Sequence, residues 1–156
     1  MSDSSFGFNF PALEGFQANN HYYVCMCPLK FVPKLFSNAD NSDLSPNLRS
    51  QRVVNQRRIP AITRYILENP ESYIFSALTA SVDGDVKFVK SNNQEEKSDF
   101  GTLWISADSK VLINDGQHRK KAIEEALQEN SDLEKESIAL VIFIDKGLKR
   151  SQQMFA

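Results

Sequence analysis

The chain has 156 residues, of which 41% are hydrophobic, and a formal net charge of −2 at pH 7. This length suffices for one compact domain with a single core and excludes two independent domains. The slightly acidic balance gives no global reason to expect nucleic acid, and no apolar run approaches the ~20 residues of a membrane-spanning helix. Residues 1–20 lack the basic start and apolar centre of a signal peptide, so we expect a cytoplasmic protein without membrane contact.

Charge is distributed unevenly along the chain. The stretch from Leu44 to Leu67 holds five arginines and no acidic residue, whereas Glu124 to Glu136 holds six acidic residues and one lysine. The five arginines are Arg49, Arg52, Arg57, Arg58 and Arg64. Such a basic half can steer a polyanion toward one side of a protein that is acidic overall. The alternative is that the arginines only solvate a loop and a helix face.

The N-terminal part contains one predicted strand. Residues 1–20 mix Ser, Asn and Gly with scattered Phe, so we expect an irregular arm that lies over the domain. Residues 21–27 are β-favouring and form the first strand, which Pro28 ends. Cys25 and Cys27 lie side by side on one face of that strand, a placement that favours two buried free thiols over a disulfide or a metal site.

A helix is predicted after the arginine-rich stretch. Pro60 suits its first turn, and Asn69-Pro70 closes it. Its apolar positions are Ile59, Ile62 and Ile66. Arg57 and Arg58 therefore lie at the helix start, where unpaired N–H groups and the positive end of the macrodipole already attract anions.

Two hairpins are predicted in the middle of the chain. Tyr73 to Val82 is a strand-like apolar run, and Asp83-Gly84 is a hairpin turn leading to a strand from Val86 to Val89. Gly101 to Ile105 and Val111 to Ile113 are expected to pair as the second hairpin.

The last predicted strand is the most hydrophobic in the chain. Ser137 to Ile144 is therefore the expected centre of the sheet. Alternating strands and helices predict an α/β (α+β) fold with a mixed sheet and flanking helices, as one domain over residues 21–148 after an arm over residues 1–20. Residues 149–156 begin another helix that stops on apolar residues, which favours a fragment of a longer protein.

The most informative segment runs from Val111 to Ile123. Three β-favouring apolar residues end at the turn Asn114-Asp115-Gly116, and a helix follows, with Asp115 or Gly116 as its N-cap. The apolar helix positions are Ala122, Ile123, Ala126 and Leu127. The cations in the first turn or so are His118, Arg119, Lys120 and Lys121. Helix starts normally favour acidic residues, so a strand, a glycine turn and a cationic helix N-terminus together predict an anion site.

Several residues of this turn have both a functional and a structural interpretation. Gly116 lets the backbone approach a phosphate, or it is simply a turn glycine. Arg119 shares the helix face of Ile123 and Ala126 and therefore points inward, where it needs a phosphate or an internal carboxylate as partner. His118 can donate to a phosphate oxygen or bond to the helix backbone.

Asp115 and the two lysines also have two interpretations each. A carboxylate repels phosphate, so Asp115 either caps the helix through an N–H of the first turn or holds a divalent cation that bridges to a nucleotide. Lys120 and Lys121 either contact DNA or pair with the glutamates four residues later on a solvated face.

The letters of Asp115 to Arg119 spell DGQHR, and the chain resembles the DGQHR-domain proteins of the DndB family, which belong to DNA sulfur modification (phosphorothioation) systems. Other segments also resemble that family; they are Tyr22-Tyr23-Val24, Pro28-Leu29-Lys30, Asn55 to Arg58 before Pro60, and Lys120 to Ile123. The resemblance covers most of residues 8–156. It implies a DNA-binding regulator of the modification operon and, because DndB-like proteins are larger than this chain, an absent C-terminal part.

More distantly, the motif is similar to the phosphate-binding turn of the ParB and sulfiredoxin superfamily, in which a Gly-x-x-Arg turn opens a helix at a nucleoside triphosphate. The resemblance implies that His118 and Arg119 bind phosphate. It excludes sulfinic-acid reductase chemistry, because Gln117 stands at the position of the catalytic cysteine. The candidate ligand is a nucleoside triphosphate with Mg²⁺. The candidate site residues are Asp115, Gly116, Gln117, His118 and Arg119, with Arg57 and Arg58.

Two functions are therefore expected as alternatives. In the first, the chain is a DNA-binding regulator of phosphorothioation genes whose arginine tract contacts backbone phosphates. In the second, it is a nucleotide-dependent enzyme or switch in which the motif holds a triphosphate. DNA and other phosphorothioation proteins are the expected partners. Ligands of α/β sheets bind where helix N-termini follow strand ends, so Arg57 and Arg58 are expected to approach the turn and share one anionic ligand.

Overall fold

A computed structural model of the protein describes residues 6–37, 56–91 and 99–148. These residues form a mixed seven-stranded sheet and three α-helices, which confirms the predicted α+β class. The strands are β1 (Gly7–Gln17), β2 (Asn20–Pro28), β3 (Leu78–Asp83), β4 (Val86–Lys90), β5 (Phe100–Ser106), β6 (Lys110–Asp115) and β7 (Ser137–Ile144). The helices are α1 (Val32–Leu35), α2 (Ile59–Glu68) and α3 (Gln117–Glu129). The order of these strands is β4-β5-β1-β2-β7-β3-β6, and among them only β3 and β7 pair in parallel.

The first strand corrects the expectation for the N-terminus. The segment Gly7–Gln17 is not an irregular arm but a strand inside the sheet, paired with β2 on one side and β5 on the other. Phe10 and Ala12 point into the core, whereas Leu13 faces outward. Gly and Pro interrupt this alternation of buried and exposed residues in the sequence. The strand is stabilised by its pairing with a neighbour on each side. The predicted limits of the domain, residues 21–148, stay a prediction.

Strands β3 to β6 form one long bent hairpin. Asp83 pairs with Lys110 and Val86 with Ile105, so the pairing of its two arms continues across the short links between β3 and β4 and between β5 and β6. At the bend the neighbours change, because β3 lies beside β7 whereas β5 lies beside β1. In a flat sheet of this order β3 and β4 would lie roughly 24 Å apart. The two-residue link spans about 11 Å at most, so the sheet must curl.

Both predicted hairpin turns are therefore wrong. Asp83-Gly84 and the segment after β5 are bends within the arms, because the partner that each strand finds lies elsewhere in the sheet. A Cβ on Gly84 would lie 2.1 Å from the Oγ atom of Ser109, so the bend needs glycine for close approach. The strand expected from Tyr73 begins only at Leu78; residues 73–77 have no regular structure.

Other predicted elements are confirmed. Helix α2 has Pro60 in its first turn and Asn69 as its C-cap, and its buried face packs against α3. Strand β7 is interior to the sheet and its alternate residues Ile138, Leu140 and Ile142 are buried, but the expectation that it is the centre is wrong by one strand, because the middle strand is its neighbour β2.

Some expectations fall outside the described residues. They concern Arg49, Arg52 and the helix predicted over residues 149–156. Within residues 6–37, 56–91 and 99–148, none of the helices combines the length and the apolar character that crossing a membrane requires.

Replacement of Leu140 by alanine tests the core. Leu140 is fully buried on β7, so we expect the free energy of unfolding to fall by about 2–5 kcal/mol, measured by urea denaturation. The matched control is Val24→Ala, on the partly exposed outer face of the neighbouring strand β2, with an expected decrease of about 1 kcal/mol or less. Equal decreases in the two variants would contradict the assignment of inner and outer faces.

Candidate anion-binding turn

The Asp115–Arg119 segment joins β6 to α3, as the sequence predicted. Strand β6 ends at Asp115 and α3 begins at Gln117. Gly116 between them is the N-cap, with φ 108° and ψ 20°, a left-handed conformation that favours glycine. A Cβ at this position would also lie 2.5 Å from Cδ2 of Leu78 and 2.9 Å from Nη2 of Arg119. The glycine is therefore required twice, by its backbone angles and by its neighbours.

Arg119 points inward, as its helix face indicated. Its Nη2 atom donates a hydrogen bond of 2.9 Å to the carbonyl oxygen of Ala77, just before β3. The side chain is 24% exposed, and the Oδ2 atom of Asp115 lies 3.9 Å from Nη2. Its Nε atom is buried and has no hydrogen-bond partner among the described residues. The guanidinium is thus positioned by a neutral carbonyl, only loosely paired with a carboxylate, and retains one unused donor.

Asp115 contacts this arginine in the structure. Its side chain is 68% exposed, and the N-cap of α3 is Gly116 rather than Asp115. Among the described residues, no group of three or more His, Cys, Asp and Glu side chains is arranged to hold a metal ion. The structure therefore gives Asp115 the role of a weak counter-ion to Arg119, while its predicted contact with a bridging cation stays a prediction.

Two neighbours complete the turn. Gln117 Nε2 donates to the carbonyl oxygen of Ile113 at 3.4 Å, and His118 is half-buried. The phosphate contacts predicted for both stay predictions. Asn114 is a polar residue of this turn that was not predicted as a site residue, and its Oδ1 accepts a 2.8 Å hydrogen bond from the buried Ser81 hydroxyl. Its Nδ2 atom is buried without a partner in the described part of the chain. Asn114 and Arg119 therefore each carry a buried donor without a partner among the described residues.

The two lysines of α3 have different environments. Lys120 is only 5% exposed, and its Nζ atom lies 3.4 Å from Oε2 of Glu124, the predicted i,i+4 pair. The interpretation of a solvated face is therefore wrong for Lys120, and its burial leaves DNA little access to it. Lys121 is half-exposed and lies 3.8 Å from the same glutamate. Glu125 instead accepts a 3.1 Å hydrogen bond from Thr63 of α2, which joins the two helices.

The described arginines of the basic stretch lie on or beside α2. Arg57 and Arg58 are exposed, and Arg58 is the N-cap of a helix whose first turn holds no acidic residue. Arg57 and Arg64 border an open depression on the outer face of α2. Arg64 lies 3.8 Å from Glu68, an exposed pair that contributes little stability. A ligand shared between this surface and Gly116 stays a prediction.

Cys25 and Cys27 are free and buried, which confirms their predicted state. Burial raises the pKa of each thiol to about 12. Both thiols are therefore protonated at neutral pH, and neither has the thiolate character that nucleophilic chemistry needs.

Comparison with known families identifies the context of this turn. A model of the DndB family, described as DNA-sulfur modification-associated, matches residues 10–156. The chain belongs to the DndB family. No curated protein and no solved structure matches it. Membership of the DndB family connects the chain with DNA sulfur modification, and the more distant likeness to ParB and sulfiredoxin stays a prediction.

Replacement of Gly116 by alanine tests the geometry of the turn. Because of the positive φ and the contacts with Leu78 and Arg119, we expect a decrease of about 1–3 kcal/mol in the free energy of unfolding, measured by urea denaturation. The control is Gln128→Ala, at an exposed position of the same helix, with an expected change within about 0.5 kcal/mol. A neutral effect of Gly116→Ala would contradict the left-handed N-cap.

Proposed function

We propose that this DndB-family chain is a DNA-binding regulator of a DNA phosphorothioation system and that its Asp115–Arg119 turn binds the phosphates of a nucleotide. Family membership supports the connection with DNA sulfur modification. The observation that carries the phosphate site is Arg119, held over the glycine N-cap of α3 with a buried Nε that has no partner among the described residues. Other proteins of the modification system are the proposed partners.

The start of α3 has the features that attract anions. The first turn of a helix presents backbone N–H groups that lack intrahelical partners, together with the positive end of the macrodipole. The first turn of α3 contains no acidic residue that would repel an anion there. The Arg119 side chain is 24% exposed, so an anion at the turn can accept a charge-assisted hydrogen bond from its guanidinium. Phosphate fits because a guanidinium fork matches its oxygens.

DNA contact is assigned to a different surface. Arg57, Arg58 and Arg64 lie at exposed positions on or before α2, and the sequence adds Arg49 and Arg52 upstream. Contacts to backbone phosphates give affinity and register without reading the base sequence. Lys121 is an exposed cation on α3 that can add to this surface, whereas Lys120 is buried.

A nucleotide-dependent enzyme or switch is the second candidate, and the same Arg119 geometry favours it. In this alternative the chain would hydrolyse a bound triphosphate, and Asp115, an exposed carboxylate at the turn, would help to hold the Mg²⁺ that neutralises charge on the phosphates. Hydrolysis also needs a group that orients the attacking water. Gln117 in place of a cysteine argues against sulfinic-acid reductase chemistry in either case.

Nucleotide binding is tested by Arg119→Ala against Lys121→Ala. A charge-assisted bond to phosphate contributes roughly 1.5–3 kcal/mol, so Arg119→Ala should raise the Kd for ATP by about ten- to a hundredfold, measured by isothermal titration calorimetry. Lys121→Ala removes an equal charge from an exposed position and should change the Kd little. Arg119→Lys, combined with a thermal melting curve, distinguishes disruption of the site from disruption of the fold. Equal effects of the two alanine variants, or no binding by the intact protein, would contradict the site.

DNA binding is tested by Arg58→Ala and Arg57→Ala, with Lys87→Ala on β4 as a control of equal charge. Fluorescence anisotropy over a salt series should show weaker binding for the arginine variants. For these variants, the slope of the logarithm of the binding constant against the logarithm of the salt concentration should decrease in magnitude by about one for each DNA phosphate that is no longer bound. The control should follow the unmodified protein. If all three variants bind DNA equally weakly, binding is non-specific and the α2 surface is not the DNA site.

A double-mutant cycle between Arg58→Ala and Arg119→Ala separates the two candidate functions. Decreases of DNA affinity that are confined to the arginines of the basic stretch favour the regulator. If the two substitutions are coupled in their effect on nucleotide affinity but additive in their effect on DNA affinity, the result favours the enzyme or switch. ATP turnover without DNA, measured by phosphate release, would favour the enzyme directly.

A further inference from the structure

An apolar cavity of about 400 Å³ lies beside α3, in the size range of small-molecule sites. Residues 73–75 form one wall and Ile123 and Ala126 of α3 form another, while Leu29, Leu133 and Ile138 close the inner side. Among the described residues, the charged groups that line it are the carboxylates Glu71 and Glu136, and no cation does so. The cavity therefore suits a flat, apolar ligand with hydrogen-bond donors and disfavours a phosphate.

The wall formed by residues 73–75 is fixed although it has no regular structure. The rings of Tyr73 and Phe75 meet edge to face with centroids 5.7 Å apart, and Phe75 stacks on Tyr65 of α2 at 6.0 Å. The backbone N–H of Ile74 donates a 2.9 Å hydrogen bond to the Tyr65 hydroxyl. These contacts form the cavity before any ligand arrives, and aromatic rings provide the surface against which nucleobases stack.

One polar pair orients the interior. The Tyr73 hydroxyl donates to Oε1 of Glu136. Burial and this bond raise the pKa of Tyr73, so the hydroxyl stays protonated and Glu136 remains the acceptor at neutral pH. Oε2 of Glu136 accepts no side-chain hydrogen bond from the described residues. It can therefore accept one from a ligand amine, as carboxylates do from exocyclic amines of bases.

The cavity and the anion-binding turn lie next to each other along two elements. Ile123, in the cavity wall, follows Arg119 by one helical turn, or about 6 Å along the helix axis. Phe75 lies two residues before Ala77, or about 7 Å away along extended chain, and the Ala77 carbonyl accepts the hydrogen bond from Arg119. A sugar ring spans such a separation, so one nucleotide can reach both places.

We infer that the cavity takes the base of the nucleotide whose phosphates lie on the Asp115–Arg119 turn, and that Glu136 selects bases with an exocyclic amine. The inference rests on the proposed phosphate site. The distribution of charge supports it, because the acidic cavity repels phosphate while Arg119 attracts it, and a nucleotide carries amine donors at one end and anionic oxygens at the other. Adenine, cytosine and guanine carry the amine, whereas uracil presents a carbonyl oxygen that Glu136 repels.

Competition experiments with the full chain test the selection. ATP, CTP, GTP, UTP and inorganic tripolyphosphate compete with a fluorescent nucleotide. The best amine-bearing nucleotide should bind about tenfold more tightly than UTP and than tripolyphosphate. Glu136→Gln should reduce the preference over UTP to about twofold or less, because an amide can donate to the uracil oxygen. The control Glu129→Gln changes an exposed glutamate at the end of α3 and should leave the preference unchanged.

Tyr73→Phe is the second variant, since it removes the hydroxyl and keeps the ring. It should retain the melting temperature within a few degrees and, because Glu136 loses the bond that orients it, weaken the preference over UTP, but less than Glu136→Gln does. If Glu136→Gln fails to fold, equal affinities of the unmodified protein for UTP and for the amine-bearing nucleotides still overturn the inference.

The remaining outcomes separate the inference from the proposed function. If tripolyphosphate binds as tightly as every nucleotide and its binding depends on Arg119, the phosphate site stands and the base pocket is overturned. Nucleotide binding that depends on Glu136 and not on Arg119 would overturn the phosphate site and, with it, the joint site. Absence of binding by every nucleotide and by tripolyphosphate would overturn both.

Discussion

The hydrogen bond from the Arg119 guanidinium to the Ala77 carbonyl is the contact on which the candidate site depends. It connects the first turn of α3 with the segment that leads into β3 and places the guanidinium over the glycine N-cap. A carbonyl partner positions the arginine without neutralising it, and the carboxylate of Asp115 is exposed and 3.9 Å away. The positive charge therefore remains available to an anion. An internal salt bridge at the same place would have filled the site from within.

The charges along α3 are separated by environment as well as by position. Arg119 and Lys121 are accessible near the start of the helix, whereas Lys120 turns inward and pairs with Glu124. Glu125 is engaged by Thr63 of α2, which fixes how the two helices pack. The bonds from Thr63 to Glu125 and from Arg119 to Ala77 attach α3 to neighbouring elements, so the glycine turn at its start is anchored to the domain. Rigid donors bind an anion without the entropy cost of ordering a loop.

The bent hairpin of β3 to β6 explains how the fold brings these parts together. Its first half places Ala77 and Leu78 beside the end of β6, and its second half pairs with β1 on the far side of the sheet. The curl that follows lets one core serve all seven strands. The aromatic segment before β3 then lies against α3 and leaves the cavity between them. The Asp115–Arg119 turn and the cavity are thus consequences of one arrangement of strands.

The sequence by itself determined the features that depend on local chemistry. Turn residues and helical spacing placed the Asp115–Arg119 motif between strand and helix, put Pro60 at a helix start and directed Arg119 inward, since near neighbours in the chain decide each of these. The tertiary structure alone decided the pairing of Gly7–Gln17 inside the sheet, the bend at Gly84, the burial of Lys120 and the choice of Ala77 as partner of Arg119. It also decided the cavity at Tyr73 and Glu136. Each of these requires a partner remote in the chain, and local periodicity does not specify which remote segment a strand or side chain will meet.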